Sequence, residues 1–122
     1  MGLFSANMNM DWLSGETLTQ YKAAWRDVSG LRGMVNWYRA SPLKIGGPGE
    51  AIEGLTFDPA RLQVRCPHLL VWGTADTALR PETTQGLVEY APNLTRIEIA
   101  DVDHWLHHQK PREVADAILG WL

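Results

Sequence analysis

The chain has 122 residues, 45% hydrophobic and 20% charged, with a net charge of −3 from 11 Lys and Arg against 14 Asp and Glu. That is one domain's length, enough for a core, and the composition excludes a disordered chain. No basic run supports nucleic-acid or anionic-membrane binding, no apolar stretch nears the roughly 18 residues of a membrane span, and no leader of signal-peptide type opens the sequence. The cytoplasm is the expected location. A single cysteine, Cys66, excludes an intrachain disulfide. Six tryptophans must be buried or must line an apolar site or interface.

The first predicted elements are helices. Ser14 can cap a helix on which Leu18, Tyr21 and Trp25 share one face, with Glu16 in its first turn. Ser29 can cap a second, with Leu31, Met34, Val35 and Tyr38 on one face and Pro42 as its stop. Then Gly46, Gly47, Pro48, Gly49 and Gly54 rule out regular structure and mark a boundary.

Beyond the glycines, strand and helix alternate. Leu69 to Trp72 is an apolar run ending at Gly73, which suits a strand buried on both faces. Pro81 opens a helix that runs to about Tyr90, before Pro92. Thr95, Ile97 and Ile99 alternate with Arg96 and Glu98 in a second strand. Pro111 opens a last helix with Val114, Ala117, Ile118, Trp121 and Leu122 on its apolar stripe. This order predicts an α/β fold with two parallel strands. Two strands leave a sheet edge and a face open, so the pattern reads as the back half of a larger α/β protein.

Ligands of α/β sheets bind at the carboxyl ends of the strands. Asp76 stands in the loop leaving the first strand and His104 in the loop leaving the second. Side by side, the carboxylate would fix the imidazole tautomer and leave the other ring nitrogen free to take a proton. Asp101, Asp103, His104, His107 and His108 also crowd together, and His104 and His108 have the spacing of a helical zinc site. Trp105 stands where that motif has Glu, and no third ligand is evident, so no metal is expected.

Val64-Arg65-Cys66-Pro67-His68-Leu69-Leu70-Val71-Trp72-Gly73, then Asp76 and Leu79, Asp103-His104-Trp105, and Pro111 with Val114 resemble the C-terminal half of the α/β-hydrolases. The branch they resemble holds the epoxide hydrolases and the haloacid and haloalkane dehalogenases. There a strand ending in Trp-Gly precedes the catalytic acid, and a His-Trp pair follows the next strand. Asn36-Trp37-Tyr38-Arg39 looks like the end of the cap domain of soluble epoxide hydrolases, where a Tyr donates a hydrogen bond to the epoxide oxygen. The resemblance implies a catalytic set of His104, Asp76 and Tyr38, with Trp37 and Trp105 against the substrate. It implies no cofactor. It divides the chain into the last cap helices, 1–43, a Gly/Pro-rich linker, 44–63, and the βαβα end of the core, 64–122.

Two departures stand out. The residue before the catalytic His is usually small in this family, and here it is Asp103, which could compete with Asp76 for the imidazole. The nucleophile elbow, small-x-nucleophile-x-Gly after a strand, is missing, as is a His-Gly oxyanion loop. The expectation is a partial hydrolase, inactive alone, whose small-molecule substrate (epoxide, halide or ester) requires an N-terminal half. The alternatives are one subunit of a split hydrolase or dehalogenase-like enzyme, and a non-enzymatic module that self-associates through an open sheet edge.

Overall fold

The computed structural model describes residues 8–41 and 58–122. They fall into two compact units, one of 13–41 and one of 8–12 with 58–122. Most of the predicted linker, and Pro42, lie outside the described residues.

The first unit is a helical pair, α1 (Gly15–Trp25) and α2 (Val28–Ala40). On α1, Tyr21 and Trp25 meet with ring centroids 5.5 Å apart. The cap of α2 is Asp27 rather than the predicted Ser29. The Asp27 carboxylate accepts the Ser29 backbone N–H at 3.0 Å and its hydroxyl at 2.6 Å. Asp27 stands where the first free amides of the helix point, and its acceptor-only carboxylate takes that place ahead of the Ser two residues on. Ser41 is extended, as a residue before proline must be.

The second unit carries the sheet. Strands β1 (His68–Gly73) and β2 (Leu94–Ile99) pair in parallel, from His68 opposite Leu94 to Gly73 opposite Ile99. Between them the chain makes a 3-10 turn, Pro81–Thr84, and one turn of helix, α3 (Leu87–Tyr90). The single helix predicted from Pro81 to Tyr90 is broken because Gly86 takes φ 78°, a left-handed conformation no α-helix contains. After β2 come α4 (Leu106–Gln109) and α5 (Pro111–Trp121), the latter opened by Pro111 as predicted. Helix α5 packs across both strands, and the Trp121 indole donates to Thr95 Oγ1 at 3.3 Å.

The buried apolar residues among those described are Ala91, Ile99 and Val102. The apolar side chains of β1 are half-buried, not enclosed on both faces as their run predicts. Among the described residues β1 has a single neighbouring strand, and two strands under one helix cannot cover both faces.

The strand ends are drawn tightly together. Thr74 donates its N–H to Ile99 O at 3.1 Å, Ala75 to Val102 O at 2.9 Å, and Asp101 to Thr74 Oγ1 at 3.2 Å. Gly73 permits this approach. A Cβ there would run into the backbone carbonyl oxygens of Val102 and Asp103. Asp101, at φ 60°, makes the turn out of β2, a conformation Asp tolerates better than most residues.

Candidate active site

The loops leaving β1 and β2 bring Asp76 and His104 together. Asp76 is 6% exposed, and its Oδ1 accepts the backbone N–H groups of Ala78 and Leu79, both at 2.9 Å. Its second oxygen, Oδ2, lies 3.0 Å from His104 Nδ1. A carboxylate can only accept, so Nδ1 carries the proton and Nε2 is the basic nitrogen. The two amides lock the carboxylate, and the carboxylate locks the ring. The His104 side chain remains 37% exposed, so the ring reaches the surface.

Asp103 does not compete for the imidazole. Its carboxylate is equally buried, at 6% exposure, and is committed to the backbone. Oδ2 accepts Asn9 N–H at 2.7 Å and Oδ1 accepts Trp105 N–H at 3.0 Å. Trp105 lies beside the site, with its ring edge-on to His104 at 5.6 Å between centroids. His108 stacks flat on Trp12, centroids 3.8 Å apart and planes 2° apart. Burial first, and the charge of His107 second, hold the His108 pKa below its ordinary value.

The helical-zinc spacing of His104 and His108 dissolves in the fold. His104 precedes α4 and turns to Asp76, while His108 lies on α4 against Trp12. Among the described residues no group of three or more His, Cys, Asp or Glu side chains could hold a metal ion. Nor is any described helix long and apolar enough to cross a membrane. Tyr38 and Trp37 lie in the other unit, on α2, and are 71% and 78% exposed. The site residues sequence reasoning missed are Asn9 and Gln109. Their side chains and backbone tie residues 94 and 100 positions apart, and no local pattern announces such contacts.

No protein-family model matches the chain. It is 31% identical to the AB hydrolase superfamily protein YfhM of Bacillus subtilis over 109 residues, which are 89% of this chain and 34% of that protein. It is 32% identical to the bifunctional epoxide hydrolase 2 of Rattus norvegicus over 94 residues, 77% of this chain and 16% of that protein. In fold it matches the crystal structure of a Bacillus megaterium epoxide hydrolase in complex with an inhibitor. The TM-score is 0.67 at 24% identity, covering 91% of this chain and 38% of that one. The chain thus spans about a third or less of the length of these curated relatives. In sequence the chain is similar to α/β-hydrolases of the epoxide hydrolase type, and in fold it matches a portion of one of them, consistent with a C-terminal part of such a protein.

Proposed function

We propose that this chain supplies the acid–histidine half of an epoxide hydrolase-type active site. The observation that carries the reading is the 3.0 Å contact of His104 Nδ1 with Asp76 Oδ2 at the carboxyl ends of two paired parallel strands. A carboxylate nucleophile, which is not among these 122 residues, forms a C–O bond to one epoxide carbon. The ring C–O bond breaks, and the departing oxygen takes the hydroxyl proton of the tyrosine that the resemblance identifies as Tyr38. Nε2 of His104 then removes a proton from water, and the resulting hydroxide adds to the ester carbonyl. The acyl–oxygen bond breaks, the freed oxygen takes the proton held on Nε2, the nucleophile's carboxyl gives its proton back to the tyrosine, and a diol leaves. Asp76 holds the tautomer and stabilises the imidazolium. The resemblance implies Trp37 and Trp105 as the residues against the substrate, and it calls for no cofactor.

On this reading the isolated chain turns over no epoxide, haloacid or simple ester, because its acid–base pair has no ester to hydrolyse. Joined to the part of the Bacillus megaterium enzyme that it does not match, it should hydrolyse an epoxide and lose that activity in His104→Ala. Turnover by the pure isolated chain that disappears in His104→Ala would sink the reading.

One observation favours a second reading. Val28, Leu31, Met34, Val35, Trp37 and Tyr38 are all exposed on α2, a contiguous apolar surface of the kind that marks an interaction site. A non-enzymatic module that associates with copies of itself would use such a face. A stable homodimer whose joined form has no activity would select it.

A further inference from the structure

His104 owes its position to more than Asp76. The residues on either side of it are both fastened. Asp103 donates its backbone N–H to Gln109 Oε1 at 3.0 Å, and Trp105 donates its backbone N–H to Asp103 Oδ1, also at 3.0 Å. The second bond alone would be an ordinary local turn, since it spans two residues. The rest of the arrangement is not local. Asp103 Oδ2 accepts the N–H of Asn9, 94 residues away, at 2.7 Å, and Gln109 Nε2 donates to the carbonyl of the same Asn9 at 3.0 Å. Asn9 thus offers both its backbone groups to two side chains that bracket the His104 loop. Trp12, three residues on, stacks against His108 on the far side of that loop.

Burying a carboxylate is costly unless its oxygens are satisfied, and here both are, by two backbone amides. The family resemblance makes this position ordinarily a small residue. A small residue leaves the loop to be held by other means, whereas here a charged side chain holds it.

We propose that Asp103, with Gln109 as its second arm, is a positioning residue for His104: it fastens the His104 loop to the backbone of Asn9 and so holds Nδ1 within reach of Asp76. The role of His104 rests on the reading above, but the positioning is measurable without turnover. The readout is the His104 Nδ1–H proton and the ring nitrogen shifts by NMR, in the full chain labelled at histidine. The wild type should show one tautomer, protonated at Nδ1, with slow solvent exchange of that proton, and Asp76→Asn should abolish the signature.

Asp103→Asn keeps one acceptor and turns an N–H₂ toward a backbone amide. It should speed Nδ1–H exchange roughly tenfold or more, the factor that one charge-assisted hydrogen bond governs, and should mix the tautomers. Gln109→Ala should act in the same direction with a smaller effect. The Trp121 indole signal, reporting the bond to Thr95 on β2, should stay where it is in both. An unchanged His104 signature in Asp103→Asn and Gln109→Ala would overturn the proposal. So would a change in which the Trp121 signal collapses together with that of His104, because Asp103 would then be a residue of general folding. A joined enzyme without epoxide turnover would remove the functional reading while leaving this result standing.

Discussion

His104 and Asp76 are separated by 28 positions and meet because two backbones come unusually close. Gly73 is the residue that permits it. Gly73→Ala would press a methyl group onto the carbonyls of Val102 and Asp103, and backbone there can yield only by separating the loops. We expect a loss of about 1–3 kcal/mol in urea unfolding, with a weakened His104–Asp76 contact. Asp76→Asn should keep the fold, since Oδ1 can still accept from Ala78 and Leu79, but it favours the wrong tautomer. In a joined enzyme, ester hydrolysis should slow on the order of 10⁴-fold, by analogy with serine hydrolases. Asp103→Asn should cost far less, and the reverse ranking would show that the acid is misassigned.

His108 adds a pH dependence at the same scale. Its folded pKa lies below the ordinary one, mainly through burial against its surroundings. The folded state therefore prefers the neutral ring. That contribution is complete above the ordinary histidine pKa of about 6.5 and is lost as pH falls through the lower folded value. Urea midpoints should fall on acidification from neutral pH, and His108→Phe should reduce that fall. A midpoint independent of pH in this window, or an equal fall in the variant, would contradict the assignment.

The elements differ in how far local sequence governs them. Strand β1 is legible because an apolar run ending in glycine has few alternatives, and α5 because Pro111 sets its first turn and a periodic stripe follows. The break between the 3-10 turn and α3 is not legible in the same way, since Gln85-Gly86 inside an apolar-periodic segment is compatible with a helix until the backbone must turn toward Ala91. Gly86→Ala should cost about 1–2 kcal/mol, the strain of a side chain in the left-handed region, and a thermal melt would show it. The cap of α2 lies two residues before the expected Ser29 because Asp27 and Ser29 both satisfy the same local preference. At the site, loop positions after the strands were enough to pair Asp76 with His104. The contacts of Asp103 with Asn9 and Gln109 depend on chain segments that meet only in the folded unit, so spacing could not disclose them.

At the scale of the molecule, the described residues bury few apolar side chains and expose many. Leu62, Leu79, Val88, Ile118, Leu119 and Leu122 are exposed in the sheet unit, as is the apolar face of α2 in the helical one. A strand as apolar as β1, with one strand beside it among the described residues, is suited to the interior of a wider sheet. We expect the isolated chain to form a dimer or larger species, or to bind a hydrophobic dye as loosely packed proteins do. Size-exclusion chromatography with light scattering would show it, and a monodisperse monomer with a sharp melt and no dye binding would count against it.

The central claim is that His104, oriented by Asp76, activates the water that releases an ester. Mass spectrometry of the joined enzyme, mixed with an epoxide and quenched, tests it most directly. With His104→Gln the account predicts an accumulated protein adduct of the substrate's mass and no diol. A variant that forms diol at the parent rate, or one that neither turns over nor accumulates the adduct while the parent does turn over, would contradict it.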